Sequence, residues 1–427
     1  MAGPTRHPRG RGGSTPCSGG DPDTAGPTDL PTPSYVPTRV VFGRGAATQL
    51  AALVRDRLGA AAVPRRPLVL TGRGGPAKPW LDQVVDQCRR LGAAVVVANS
   101  RPNPTGESIQ AVLELARRAG ADGVVAIGGG SVLDTGKTVA LLLSGTTSVA
   151  HALRHGVPAP RRVPLVAVPT TAGSGAEVTR TATVWDDRAG RKHALDHPQL
   201  FPDLAVVDPV LTTSAPTSVW ASAGLDALSQ AVESSWAVAA DEESLRFSLP
   251  AVRMAADGLH AVLTAPADVT ARSLLSRASL TAGLAIARTR TTIPHALSYP
   301  MTARLGLAHG HACALTLGAV LCFNAEVGER DCHDPRGVAH TLAVVRAVVR
   351  HLRAPTPAAA ARRVAELVRR LGLPAPHQLA QLRRIDPTSL ADDVLSYDRF
   401  TNNPRHMSRA QLTALLTALT TPPARTP

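Results

Sequence analysis

The sequence predicts a two-part protein: an N-terminal α/β nucleotide-binding domain on a parallel sheet, followed by a C-terminal all-helical domain. Three observations predict it. Short apolar strands alternate with helical stretches from Arg39 to Val207, the pattern of βαβ units joined by right-handed crossovers. Beyond Asp208 the chain changes to long Ala- and Leu-rich helical patterns through Arg384, with no convincing strand. At 427 residues it exceeds one comfortable core, and 44% hydrophobic with only 3% aromatic residues suits cores of Ala, Val and Leu.

Taken in order, residues 1–38 are rich in Pro, Gly, Ser, Thr and Arg, without periodicity or the apolar core of a secretory signal, and read as a disordered tail. Arg39–Phe42 and Pro67–Thr71 read as strands around a helix at Ala46–Leu58. Ala93–Ala98, Gly123–Ile127, Val163–Val168 and Leu204–Val207 are further strands, with helices at Ser108–Ala119 and Ser131–Leu143 between them. The α/β domain is placed at 39–209, the helical domain at 210–419, and 420–427 reads as a loose end.

Composition removes several classes of function. No apolar run reaches the roughly 18 residues that span a bilayer. The five cysteines have no CxxC spacing, so neither a disulfide framework nor a thiolate metal site is indicated, and a reducing cytoplasm fits them best. The net charge of +14 raises nucleic acid as a partner, but only three lysines occur, Lys78, Lys137 and Lys192, and the arginines are scattered without basic blocks or interleaved aromatics. A solvated arginine-rich surface is the better reading, and it leaves room for a small anionic substrate. Assembly is not readable from the chain; a homodimer is compatible with it.

Two segments have the character of a nucleotide site. Gly123–Lys137 is a buried strand running through three glycines into a helix, so Gly128, Gly129, Gly130 and Ser131 suit a pyrophosphate at a helix N-terminus, although GxGxxG is absent. Asp134 and Lys137 fall on one face of that helix, and Lys137 is retained in a chain nearly without lysine. Val168–Thr179 combines the hydroxyls of Thr170, Thr171 and Ser174 with glycines after another strand, where N-capping is the alternative role for Ser174. Further along, Asp226 and Gln230 lie four apart on a helix, and His295, His309 and His311 supply imidazoles. One carboxylate with nitrogen donors makes a site for a divalent transition ion with a position open for substrate.

The segments GGGSxxDxxK and PTTAGSGAEVT, with Val41–Gly45 before them, resemble the iron-containing (group III) alcohol dehydrogenase family, which is itself similar to the dehydroquinate synthase fold. The resemblance implies a nicotinamide cofactor held by Gly129, Gly130, Ser131, Asp134, Thr170, Thr171 and Ser174, with Lys192 also at a family position. It implies metal ligands at Asp226, Gln230, His295 and His309, the ion being Fe2+, or Zn2+ or Mn2+. Gln230 departs from the family's histidine; an amide oxygen is a harder and weaker donor that penalises Zn2+ more than Fe2+ or Mn2+. Tyr299 departs from a second histidine and could hydrogen-bond the substrate oxygen or relay a proton, as could His311. Many members carry an acidic residue where this chain has Gly72-Arg73; without it a 2′-phosphate is tolerated, which favours NADPH over NADH.

Around His295 and His309 the sequence is most like the phosphonoacetaldehyde reductase branch, so the implied reaction is reduction of a small aldehyde, phosphonoacetaldehyde to 2-hydroxyethylphosphonate. Arg288, Arg290 and Arg304 are candidates for the phosphonate; Arg290, flanked by Thr291 and Thr292, is the first choice. Two alternatives stay open: a general iron-type or lactaldehyde-like dehydrogenase acting on uncharged substrates, and a metal-free nucleotide-binding homologue without catalysis.

Overall fold

The computed structural model describes residues 26–72, 78–92, 96–157, 162–186, 191–383, 386–395 and 397–421. Among them the strands are β1 (Thr28–Leu30), β2 (Arg39–Phe42), β3 (Pro67–Gly72), β4 (Val96–Ser100), β5 (Gly123–Gly128), β6 (Leu165–Pro169), β7 (Thr181–Asp186), β8 (Arg191–Asp196) and β9 (Leu204–Val207). Seven form one sheet in the order β1-β2-β9-β6-β5-β3-β4, parallel except for β1, while β7 and β8 pair as a separate antiparallel hairpin. The helices of this half are α1 (Leu50–Leu58), α2 (Leu81–Arg89), α3 (Gly106–Arg118), α4 (Gly130–Leu142) and α5 (Val149–His155).

The central strands are continuous apolar runs because both faces of the sheet are covered. Leu68, Leu70, Val124 and Ala126 face α3 and α4, whereas Val69, Val125, Val166 and Val168 face α1 and α2. β3 has β4 on one side and β5 on the other. The strand order therefore reverses at β3, and a crevice opens outside the carboxyl ends of β3 and β5, where ligands bind in open α/β sheets.

The second half is helical: α6 (Thr217–Trp236), α7 (Glu242–Thr264), α8 (Val269–Thr289), α9 (Ile293–Leu305), α10 (His309–Asn324), α11 (Gly337–His351), α12 (Pro357–Arg370), α13 (Ala380–Arg383), α14 (Pro387–Leu395) and α15 (Arg409–Thr420). They share one core around Leu225, Leu228, Leu259, Leu275 and Leu297. The α6–α10 crossing is unusually close: a Cβ on Gly310 would stand 1.9 Å from the Ser222 carbonyl oxygen and 2.7 Å from the Asp226 nitrogen. Only glycine lets these helices touch there.

The parallel α/β half followed by helices is the fold class expected from the sequence. Three details differ. Part of the expected tail is structured: β1 pairs with β2, and Val36 is buried with Val40, Phe42 and Leu284. Single apolar anchors in a Pro-rich stretch have no periodicity to detect. The β7–β8 hairpin was not expected because its strands bury only alternate residues, such as Ala182 and Val184, and β8 reads as the polar string RKHALD. The strand expected at Ala93–Ala98 is observed at Val96–Ser100, residues 93–95 lying outside the described residues.

Candidate active site

A cleft of about 1000 Å3 runs from the ends of β3, β4 and β5 to the helices α6, α9 and α10. At its sheet end, β5 passes through Gly128 into α4, whose N-cap, Gly129, has no side-chain capping bond. The first-turn amides of α4 are thus presented to an anion by a helix N-terminus. The second glycine-hydroxyl segment closes on this turn. A Cβ on Gly129 would meet Thr171 Oγ1 at 3.1 Å, and one on Gly130 would meet Ser174 Oγ at 2.9 Å. Gly129, Gly130, Ser131, Asp134, Thr171 and Ser174 all line the cleft.

Three residues expected to hold the cofactor line no part of the cleft, and a fourth falls outside the described residues. Lys137 is buried and lines no part of the cleft; its Nζ donates to Thr179 Oγ1 and to the Thr181 carbonyl, both at 2.9 Å, and lies 3.8 Å from Asp134. It pins α4 to β7, and burial pulls its pKa down to about 8 against the attraction of Asp134 and Glu177. Gly128 and Thr170 are joined to each other, the Thr170 amide donating to the Gly128 carbonyl at 3.0 Å, and neither lines the cleft. Arg73 falls outside the described residues.

At the helical end, three helices each contribute side chains four residues apart: Asp226 and Gln230 from α6, His295 and Tyr299 from α9, His309 and Cys313 from α10. Donor atoms of Asp226, His295, His309 and Cys313 lie within 4.8 Å of one another. Gln230 stands beside them with its buried Oε1 lacking a hydrogen-bond partner and its Nε2 donating to the Ser174 carbonyl at 3.4 Å. A carboxylate, two imidazoles, a thiol and an orphaned amide oxygen fit a divalent transition ion. Burial raises the Asp226 carboxyl, but His309, His295 and Lys192 outweigh it and hold the group below its ordinary value. Burial, then Lys192, press His309 down to about 3, so it is a neutral nitrogen donor.

Glu233 organises this group. Completely buried one turn beyond Gln230, it accepts from the Thr292 amide at 2.7 Å, from Thr292 Oγ1 at 3.0 Å and from His295 Nδ1 at 2.5 Å. His295 Nε2 is thereby turned to Asp226 Oδ1, 3.2 Å away. A carboxylate fixing the far nitrogen of a metal-site histidine is the usual outer support of such centres.

Four residues considered from sequence for substrate binding or proton transfer already have other partners. Thr292 is buried against Glu233 and Trp236 and cannot reach substrate. His311 points to the Pro374 carbonyl at 2.9 Å and lines no part of the cleft. Arg290 lines the cleft but is bound to both Asp196 and Asp398, so its charge is already matched; Thr291 lines the cleft beside it. Arg304 pairs with Asp393, outside the cleft. Tyr299 does face the cleft, with its ring stacked on His309 at 6.0 Å between centroids.

Two family profiles, iron-containing alcohol dehydrogenase and its C-terminal counterpart, match residues 37–209 and 220–420. The chain belongs to the iron-containing alcohol dehydrogenase family. It is an NAD(P)-dependent oxidoreductase of that family. The phosphonoacetaldehyde reductase of Streptomyces viridochromogenes is 41% identical over 81% of this chain and 88% of its own. Among solved structures, the sulfoacetaldehyde reductase of Bifidobacterium kashiwanohense in complex with NAD+ has a TM-score of 0.76 at 27% identity, covering 90% of this chain and 97% of its own. An iron-containing alcohol dehydrogenase from Thermococcus thioreducens has a TM-score of 0.78 at 25% identity, covering 90% and 98%. No helix of the described residues is long and apolar enough to cross a membrane.

Sequence reasoning missed Glu233, Cys313 and Arg399. Glu233 had a signal, a carboxylate seven residues after Asp226 on the same helix face. Cys313 has no CxxC partner to mark it; it lies beside the donors because it stands one turn after His309 on α10, and burial raises its thiol pKa. Arg399 follows α14, a hundred residues from Tyr299, and carried no sequence signal; its Nε donates to the Tyr299 hydroxyl.

Proposed function

We propose that the protein reduces a small anionic aldehyde, phosphonoacetaldehyde or a close analogue, to the primary alcohol, consuming NAD(P)H and one proton. The observation that carries this reading is a donor group suited to a divalent ion lying in the same cleft as positive charge that nearby carboxylates do not fully match. The likeness to reductases of phosphonoacetaldehyde and sulfoacetaldehyde, both two-carbon aldehydes bearing an anionic head, supports it. When bound, an ion held by Asp226, His295 and His309, with Gln230 and Cys313 beside them, polarises the carbonyl and the nicotinamide supplies the hydride.

The rest falls to the chain itself. The amides of Gly130 and Ser131 bind the cofactor's phosphates, and Thr171 and Ser174 position it along the cleft. Glu233 holds His295. Tyr299 accepts from Arg399 Nε, which leaves its own O–H free to donate to the substrate oxygen. For the cofactor we infer NADPH: Gly72 lines the cleft without a carboxylate, and Lys78 Nζ lies 3.8 Å from where a Gly72 Cβ would stand, so a 2′-phosphate meets a cation.

Initial rates with phosphonoacetaldehyde, sulfoacetaldehyde and butanal, each with NADPH and with NADH, test the reading on Fe2+-loaded enzyme. It expects kcat/KM at least about 100-fold higher for the charged aldehydes, the scale of one desolvated charge-assisted contact. Equal values for butanal would favour the general alcohol dehydrogenase.

A further inference from the structure

We propose that Lys192 and Arg399, each within reach of the Tyr299 ring, form the subsite for the anionic head of the substrate. The inference rests on the anionic-aldehyde reading above and assigns the charge to particular atoms.

Elimination among the cations lining the cleft leads to this pair. Arg180 Nε is 2.8 Å from Asp196, Arg288 Nε is 3.1 Å from Asp241, and Arg290 is bound to both Asp196 and Asp398. Arg101 donates to the Pro102 carbonyl at the sheet end, next to Asn103, whose amide bonds Ser131. Lys192 and Arg399 remain, neither with a carboxylate in ion-pair distance among the described residues.

Their placement fits a short substrate. Lys192 Nζ lies 4.5 Å from the Tyr299 ring centroid and Arg399 Cζ lies 5.4 Å from it. The same ring stacks on His309, so both cations sit one side chain away from the metal donors. A two-carbon aldehyde can then direct its carbonyl to the donor group and its charged head to the cations at once. Arg399 uses Nε on Tyr299, while its two terminal amino groups have no hydrogen-bond partner among the described residues. Two parallel N–H groups match two oxygens of a tetrahedral oxyanion, and the lysine adds a point charge from the hairpin strand β8. Arg290, the choice from sequence, braces a chain turn instead: its φ is +58°, and Asn402 Nδ2 donates to the carbonyls of Thr289 and Thr291 on either side.

The test compares kcat/KM for phosphonoacetaldehyde and butanal in Fe2+-loaded wild type, Arg399→Gln, Arg399→Lys and Lys192→Gln. The charged-to-neutral ratio should fall at least about 30-fold in Arg399→Gln, partly recover in Arg399→Lys, and fall about tenfold in Lys192→Gln, mainly through KM. NADPH affinity of the two Arg399 variants, read by fluorescence, should move less than about threefold, which separates loss of the anion contact from loss of the fold or cofactor site. A parallel fall for both aldehydes, or NADPH binding of the Arg399 variants that weakens in step with turnover, overturns the assignment. A wild-type preference for the charged aldehyde that survives the substitutions overturns the subsite and leaves the substrate reading standing. If wild type shows no preference, the substrate reading fails and competitive inhibition by ethylphosphonate decides the subsite: a Ki raised at least about tenfold in Arg399→Gln supports it, and an unchanged Ki overturns it.

Discussion

Glu233 shows how much one buried carboxylate can organise. It receives hydrogens from Thr292 and His295 and nothing from solvent, so its whole effect is to fix the entry to α9 and the ring orientation of His295. Glu233→Gln keeps the volume but replaces one acceptor oxygen by a donor facing His295 Nδ1. Metal affinity should fall about 10- to 100-fold, as for other outer-shell partners of metal-site histidines. A chelator competition titration checks this, and retention equal to wild type would show that His295 is held by packing alone. Lys137 illustrates the opposite lesson. Its survival in a lysine-poor chain does mark a special position, but the need is a buried cation joining α4 to β7 and not a ligand contact.

At the scale of elements, the site depends on how closely α6 and α10 approach. His309 is the first residue of α10 and Asp226 lies mid-way along α6, with Gly310 at the crossing. Gly310→Ala places a methyl group against the Ser222 carbonyl and the Asp226 amide, both backbone atoms that cannot rotate aside. The helices must separate. Stability should drop by roughly 1–3 kcal/mol or more, with metal retention falling further than the Tm shift alone explains, because the two ligands move apart. Calorimetry with metal analysis on the same preparation reads both, and a stable variant of full metal content would contradict the close crossing. The β7–β8 hairpin matters at this scale too, since it brings Lys192 and Asp196 from the α/β half to the helical end of the cleft.

For the whole molecule, the junction of sheet and helices buries a charged cluster whose protonation is linked to folding. Burial pushes the Glu177 carboxyl from 4.5 up to about 7, against its own backbone hydrogen bond and the pull of Lys137. Below pH 4.5 the group is neutral in both states and carries no penalty. Between 4.5 and about 7 the unfolded chain releases its proton first, so this group's contribution to stability declines as pH rises, by at most on the order of 3 kcal/mol. Glu177→Gln should flatten that part of the stability profile and raise Tm above pH 7. Denaturation series at pH 5 and pH 8 measure it, and an unchanged slope would assign the pH dependence to other groups.

Several features were legible in the chain itself. The alternation of apolar runs with amphipathic stretches specifies a covered parallel sheet, and the glycines after β5 specify a backbone that approaches a ligand, because these are local consequences of side-chain spacing and φ/ψ freedom. Asp226, His295 and His309 were nameable because their motifs resemble a family's. Partnership was not legible. Whether Arg290 or Arg399 has charge to spare depends on Asp196 and Asp398, about a hundred residues from Arg290 in either direction. Whether Lys137 and His311 meet a ligand or a carbonyl, and whether Cys313 joins the donors, depends on which helix crosses which and how closely. A sequence determines what each side chain can donate, accept or carry; only the packed chain determines which of those capacities are already satisfied and which are left for substrate.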